Sequence, residues 1–238
     1  MGSLSNRMKS YEDITKQTLH YNMPIILRID GRAFHTLTKG LSKPFDNEFI
    51  TMMNEIALDL CQNEIQNVKL AYLQSDEISF LIVTGEEQSE WFNNRVQKMC
   101  SISSSRASSF ATRYNINKRV FNTSKPIMFD SRVFAIPKED VENYFIWRQL
   151  DWTRNSIQML SRSLYSHNQL KNKNQSDMQE MCFQKGHNWN DLFTYLKRGR
   201  CAKQYPTLIA NEIKRNVWSI DNDIPIFTKN REYIRELL

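Results

Sequence analysis

The chain has 238 residues, of which 40% are hydrophobic and 24% are charged, the ordinary composition of a folded globular protein. Its net charge of +6 favours an anionic partner such as a nucleic acid or a nucleotide. The cysteines and histidines lack the spacing of zinc ligands, which predicts reduced thiols and argues against a zinc-binding protein. These residues are Cys61, Cys100, Cys182, Cys201, His20, His35, His167 and His187.

The N-terminus is polar from its first residues, and no apolar run approaches the length that crosses a membrane. The chain contains only 6 Gly and 6 Pro, which argues against long disordered tracts. We therefore predict a folded protein with no signal peptide, no membrane partner and a cytoplasmic location.

Hydrophobic periodicity predicts six elements in the first part of the chain. Apolar residues recur at three-to-four spacing in 45–64, which is typical of an amphipathic helix. A longer helix is predicted at 89–115, with Ser89 as its N-cap. Strands are predicted at 23–30, 68–74, 78–84 and 126–137.

The resulting order, β-α-β-β-α-β, is that of the ferredoxin-like split βαβ arrangement and predicts an α+β fold. Right-handed crossovers place the first strand in the centre, between the third and fourth strands and antiparallel to both. The rest of the chain is predicted to be helical to about residue 183, with additional basic segments beyond. We predict a core at 1–137 and a helical and basic C-terminal extension at 138–238, packed on the same domain.

This topology brings two acidic positions to one edge of the sheet. Asp30 ends the first strand, and Asp76 and Glu77 open the third. Two neighbouring carboxylates repel each other, and a divalent cation relieves that repulsion. Oxygen ligands of this kind suit Mg²⁺. The alternative is that Asp30 and Asp76 are separate turn residues that bind local backbone groups.

The residues after Asp30 are suited to binding phosphate. Gly31 allows the backbone to approach a ligand closely, and successive N–H groups can surround phosphate oxygens. Arg32, His35 and Lys43 add basic side chains near the same edge. A solvated lysine is the alternative interpretation of Lys43.

Two groups of basic residues are candidate RNA contacts. The first falls on one stripe of the long helix, and the second lies close to Tyr195 and Tyr205, a combination that suits phosphate and single-strand contact. Solvated surface positions are the alternative for both groups. The first group comprises Arg95, Lys98, Arg106 and Arg113, and the second Lys197, Arg198 and Arg200.

Three sequence motifs, "RIDGRAF", "QSDEISF" and "FDSRVF", occur in this order on the predicted elements. Together with "YFIWRQLDW" at 144–152, they resemble the tRNA-His guanylyltransferase family and its relatives, the 3′–5′ reverse polymerases. The resemblance runs from Pro24 to about Asp151. It implies a polymerase-type palm with two Mg²⁺ ions that adds nucleotides to the 5′ end of tRNA, after a nucleoside triphosphate (ATP or GTP) has activated that end. It also implies a homotetramer.

The resemblance assigns roles to individual residues of this chain. Asp30, Asp76 and the carbonyl of Gly31 match the metal ligands, and Glu77 matches an acid that supports catalysis. Asp76 also belongs to the nucleotide-binding positions. The other residues that match nucleotide-binding positions are Gly31, Arg32, Ala33, Phe34, His35, Lys43 and Ser75.

One stretch departs from the eukaryotic enzymes of the family, which carry H-I-N-N-L-Y-N where this chain has "TRNSIQM" at 153–159. Only Asn155 matches in register, while Thr153, Gln158 and Met159 differ. That motif accompanies recognition of a single tRNA, so the chain is more similar to the guanylyltransferase-like proteins that repair truncated tRNA 5′ ends by copying the opposite strand. "FQKGHNWNDLFTYLKRGR" at 183–200 is also similar to that branch.

Three alternatives to 5′-end repair differ in their chemistry. A dedicated tRNA-His guanylyltransferase would add a single G at position −1, and a palm-type nucleotide cyclase would use the same paired acids without RNA. A non-catalytic RNA-binding module would stack bases on aromatic residues of its central strands. The central strands offer only Phe80 for such stacking, which argues against this last alternative.

Overall fold

The computed structural model describes residues 3–209 and 213–238. The strands are β1 (Ile25–Gly31), β2 (Val68–Gln74), β3 (Glu77–Ile82), β4 (Phe129–Ala135), β5 (Arg200–Ile209) and β6 (Ile213–Asp221). The helices are α1 (Leu4–Asp13), α2 (Phe34–Leu37), α3 (Asn47–Asn63), α4 (Val96–Lys118), α5 (Val141–Leu164), α6 (His167–Leu170), α7 (Gln175–Gln184), α8 (Thr194–Arg198) and α9 (Glu232–Arg235). None of the described helices is both long and apolar enough to cross a membrane.

The strands form one sheet in the order β4-β1-β3-β2-β5-β6. β1 lies between β3 and β4 and is antiparallel to both, which confirms the predicted α+β topology. The two faces of the sheet are covered by different helices. Ile25, Leu27 and Ile29 pack in the core with α3 and α4, whereas Ile26 packs on the opposite face with α5 and the C-terminal segment.

The long helix α4 begins later than predicted, at Val96, so Ser89 is not its N-cap. Phe92, Asn93 and Asn94 have positive φ angles of 52°, 51° and 55°, which interrupt any helix that starts before them. This segment is held by the preceding chain, because the amide of Val96 donates to the carbonyl of Gln17 at 3.0 Å.

The C-terminal extension contains two strands that the sequence did not predict. β5 pairs with β2 through 200–202 and continues beyond it, paired only with β6. Its alternation was obscured because Lys203 is buried with its ammonium 4.0 Å from the centre of the Tyr233 ring and 2.9 Å from Glu236. Residues on both sides of the predicted boundary at 137/138 therefore build the same sheet.

Candidate functional site

The carboxylates of the candidate site meet at one end of β1 and β3. Asp30 and Glu77 are register partners, and the amide of Gly31 donates to the backbone carbonyl of Asp76 at 3.1 Å. The topology therefore brings Asp30 and Asp76 to the same edge, as the order of elements predicted.

A tight turn places Asp76 at this edge. Ser75 and Asp76 connect β2 to β3, and Ser75 has a left-handed φ of 46°, a conformation that a non-glycine residue rarely adopts. The side chain of Ser75 favours the ionised form of the Asp76 carboxylate by lowering its pKa. The turn thus places a polar side chain beside the carboxylate as well as reversing the chain.

Burial and repulsion by a neighbouring carboxylate disfavour the ionised forms of Asp30 and Asp76. Burial and, as the second cause, the neighbouring Asp30 raise the pKa of Asp76 to about 6. Burial also raises the pKa of Asp30, and the second cause is Asp130, its register partner on β4. Sequence reasoning missed Asp130, although the central position predicted for β1 implied a partner on each side. A cation at this edge would compensate the repulsion.

Glu77 lies in a buried ionic network beside this pair. Its carboxylate accepts from the guanidinium of Arg148 on α5 at 2.8 and 2.7 Å, and also from Gln74 and Ser79. Arg148 in turn contacts Asp151 at 3.2 Å. Since these donors occupy its oxygens, Glu77 holds α5 against the sheet end rather than forming a third free carboxylate.

The donor set fits Mg²⁺. The described side chains contain no cluster of three or more His, Cys, Asp or Glu residues that could hold a metal ion by themselves. A metal at Asp30 and Asp76 would therefore need further ligands. Mg²⁺ commonly uses one or two carboxylates together with substrate phosphates and water. Asp30, Asp76 and the adjacent carbonyl of Gly31 supply ligands of this kind.

A cleft with a volume of ≈ 730 Å³ opens beside Asp76, within the range of about 300–1,000 Å³ that is typical of small-molecule sites. One wall is the segment after β1 together with the β2–β3 turn, and the other is a face of α5. The first wall comprises Gly31, Ala33, Phe34, His35, Thr38, Lys43, Pro44, Ser75 and Asp76; the second comprises Trp152, Asn155, Gln158, Met159, Arg162 and Ser163.

The predicted nucleotide-binding residues lie along this cleft with one exception. Arg32 is exposed and does not line it; its amide donates to the carbonyl of Met128 at 2.9 Å. The side chain of Phe34 is buried against Phe49, Phe121 and Phe129, so only its backbone can face a ligand. Ala33, with a φ of 59°, is the N-cap of α2, and the first amides of a helix have no carbonyl partner within the helix.

Gly31 also has a steric role that the sequence did not predict. A Cβ at this position would lie 2.3 Å from Cδ2 of Phe34, so the glycine makes room for that ring. We expect Gly31→Ala to destabilise the fold by about 1–3 kcal/mol, since overpacking displaces neighbouring groups. Urea denaturation measures the change.

Gly40→Ala is the matched control for that variant. No atom lies within 4 Å of a Cβ built on Gly40, so we expect its free energy of unfolding to stay within about 0.5 kcal/mol of the wild-type value. Equal losses in the two variants would contradict the steric role of Gly31.

The predicted stripe of basic residues on the long helix divides in the structure. Arg106 is bound to Asp59 at 2.7 and 3.0 Å and to Glu64 at 3.1 Å, so it ties α4 to α3 and its guanidinium is not available to RNA. Arg95 precedes α4 and is half-buried. Lys98 and Arg113 are exposed beside the rings of Phe92 and Phe110.

The second group of basic residues is also divided, between one buried position and two half-buried ones. Arg200 is 2% exposed and hydrogen-bonds Asn54 and the carbonyl of Ile50, so it is not presented at the surface as predicted. It is buried because it begins β5 at the point where that strand pairs with Leu73 of β2. Lys197 and Arg198 are half-buried, and the ammonium of Lys197 donates to the carbonyl of Asn190.

The departing stretch of α5 belongs to the cleft. Asn155, Gln158 and Met159 line it, whereas the Thr153 hydroxyl donates to the carbonyl of Lys197. Sequence reasoning did not assign Trp152 or Arg162 to the site. Their spacing with Asn155 and Met159, which is three or four residues at each step, was the available signal.

Comparison with known proteins identifies this combination of fold and cleft. Residues 5–137 match the family described as Thg1, tRNAHis guanylyltransferase. The chain belongs to this family. A probable tRNA(His) guanylyltransferase from Dictyostelium discoideum is 33% identical over 154 residues, covering 63% of this chain and 58% of that protein. The chain spans about half the length of this relative and of its mouse and bovine counterparts.

Two solved structures of the Thg1 family are similar along almost the whole chain. A bacterial tRNA(His) guanylyltransferase (Thg1)-like protein in complex with ATP is 38% identical, with a TM-score of 0.90 and 99% coverage of both chains. A bacterial Thg1-like protein in complex with GTP is 36% identical, with a TM-score of 0.82 and the same coverage. The Thg1 fold thus includes the C-terminal extension of this protein as well as its core.

Proposed function

We propose that this protein is a nucleotidyltransferase that adds nucleotides in the 3′–5′ direction to the 5′ end of tRNA and repairs truncated 5′ ends. The observation that carries the proposal is the cleft that runs from Asp76 along the segment after β1. Asp30 does not line this cleft, but it ends β1 as the register partner of Glu77, the residue next to Asp76. The fold is shared with proteins that bind ATP and GTP. In this proposal the 5′-phosphate attacks the α-phosphate of ATP or GTP, and pyrophosphate leaves. The 3′-hydroxyl of an incoming nucleoside triphosphate then attacks the activated 5′-phosphate, and the nucleoside monophosphate leaves.

The two walls of the cleft have separate tasks in this reaction. The backbone from Gly31 to His35 and the side chains of Ser75 and Lys43 hold the triphosphate. In-line displacement at phosphorus requires the attacking and leaving oxygens to be held on opposite sides of the reacting phosphate. A cleft with two walls provides that arrangement, with α5 facing the triphosphate-binding segment.

The carboxylate pair is the proposed metal-binding position. Asp30, Asp76 and the carbonyl of Gly31 would hold two Mg²⁺ ions, which would supply Lewis-acid stabilisation of the charge on the phosphate oxygens. Glu77 acts through Arg148, since their bidentate contact fixes the position of α5 relative to the strand ends.

The residues of α5 that line the cleft favour repair of truncated 5′ ends over addition of a single G to tRNA-His. Gln158 and Met159 stand in the cleft where the eukaryotic enzymes carry Tyr and Asn. The curated relatives with tRNA(His) guanylyltransferase names support the second candidate, a dedicated enzyme of that kind. The cytoplasmic location, the homotetramer and the RNA contacts of Lys98, Arg113, Arg95, Lys197 and Arg198 stay predictions.

The two candidates are separated by incubating the protein with several 5′-truncated tRNAs, ATP, GTP and Mg²⁺. We expect addition to more than one tRNA species, with product lengths that stop at a fully paired acceptor stem. Addition confined to tRNA-His would support the dedicated guanylyltransferase instead. Formation of a cyclic nucleotide in the absence of RNA would identify a cyclase and contradict both.

A further inference from the structure

Arg162 occupies a distinctive position on the α5 wall of the cleft. It lines the cleft opposite the segment after β1, in the last turn of the helix. Its side chain is exposed. Within residues 3–209 and 213–238 no carboxylate forms an ion pair with it. Its charge is therefore available at the mouth of the cleft.

The other arginines of α5 are already paired. Arg148 is buried and contacts Glu77 and Asp151, and Arg154 contacts Asp151. Neither lines the cleft. Of the three arginines of α5, Arg162 is thus the one that lines the cleft and the one without an ion pair to a described residue. A position in the last turn also favours a cation through the helix dipole. A purely structural role of this kind would affect stability and not the binding of a ligand.

The proposed reaction brings two phosphate-bearing reactants to one cleft. The nucleotide is small enough to enter and meet Gly31–His35, whereas only the end of a tRNA can reach the site. The rim position of Arg162 is accessible to that end. A guanidinium binds phosphate through two parallel N–H donors, a geometry that an ammonium lacks.

We propose that Arg162 binds the 5′-terminal phosphate of the RNA substrate and thereby selects ends that carry a phosphate. This inference rests on the proposed function and deepens it. It assigns recognition of the RNA end to the α5 wall and recognition of the triphosphate to the opposite wall.

The test measures binding of a 5′-truncated tRNA with either a 5′-monophosphate or a 5′-hydroxyl, by fluorescence anisotropy of a 3′-labelled transcript. The wild-type protein should bind the phosphorylated RNA about 10-fold more tightly, a factor that corresponds to about 1.4 kcal/mol. Arg162→Ala should abolish this preference, and Arg162→Lys should retain part of it. Arg154→Ala removes the same charge from an exposed site on the same helix and should leave the preference unchanged.

Parallel measurements separate the possible failures. An Arg162→Ala variant that keeps the preference, or that loses affinity for GTP in calorimetry instead, overturns the inference. If a lowered melting temperature is the sole effect of Arg162→Ala, the role of Arg162 is structural, and the inference is also overturned. Nucleotide addition by the wild-type protein is scored independently. Absence of addition together with an Arg162-dependent preference contradicts the proposed reaction while supporting Arg162 as a phosphate-binding residue.

Discussion

Asp30→Asn and Asp76→Asn should each lower the rate of nucleotide addition by about 10³-fold or more. Each change removes a charged oxygen ligand from the edge where the proposed Mg²⁺ ions stabilise developing negative charge, and such electrostatic contributions are among the largest in enzymes. Single-turnover addition to a 5′-truncated tRNA at saturating GTP measures the effect on chemistry apart from nucleotide affinity.

Asp130→Asn is the matched control. Asp130 is the register partner of Asp30, yet its side chain is 57% exposed and pairs with Arg132 at 3.3 Å. We expect this variant to keep its addition rate within about 3-fold of wild type, because the carboxylate acts on Asp30 only through solvent-screened repulsion. Full activity of Asp30→Asn and Asp76→Asn in Mg²⁺ would exclude the proposed site.

Asp76→Asn should also raise the stability of the metal-free protein at pH 7.5. The pKa of Asp76 is raised to about 6 from 3.8, so its stabilising contribution is present below pH 3.8 and is lost as the pH rises through 6. Removing the carboxylate removes that loss. A melting temperature in EDTA that is at least as high as that of the wild-type protein would show that lost activity does not reflect a lost fold.

Arg148→Ala should destabilise the protein by about 3–5 kcal/mol, the cost of leaving a buried carboxylate without its partner. Glu77 is buried and its contacts with Arg148 are bidentate. The same change removes the ionic connection between α5 and the strand end, so we also expect slower nucleotide addition. Urea denaturation and single-turnover kinetics measure the two effects.

Arg154→Ala distinguishes this network from an ordinary surface ion pair. Arg154 also contacts Asp151, but its side chain is 53% exposed, and we expect a cost below about 1 kcal/mol. Replacing Glu77 and Arg148 together, by Leu and Met, should recover part of the stability because the buried carboxylate is removed together with its guanidinium partner. Equal costs for Arg148→Ala and Arg154→Ala would contradict the buried role of Arg148.

The central position of β1 could be predicted from the sequence because it depends on element order and on the handedness of crossovers. Asp30 and Asp76 were placed at one edge for the same reason. The motifs around them identified the family, since "RIDGRAF" and "QSDEISF" lie on the strand ends that the topology brings together. These results required only local pattern and chain connectivity.

Other features depended on contacts between residues far apart in the chain. Nothing in the local sequence shows that Arg200 is covered by α3, that Arg106 is neutralised by Asp59 and Glu64, or that Gly31 accommodates the Phe34 ring. A basic residue has the same local pattern whether it faces solvent or a distant carboxylate. The strands β5 and β6 were missed because buried Arg200 and Lys203 mask their alternation.

The sequence by itself determined the sheet topology, the carboxylate edge and the family, because strand order and motif spacing are properties of the chain. Only the tertiary structure decided which basic residues are available to a ligand. It also supplied the second wall of the cleft, since α5 reaches the site by packing across the sheet and Arg148 locks it to Glu77. Packing distributes charge between the interior and the surface, and that distribution leaves Arg162 facing the cleft while Arg148 and Arg200 are buried.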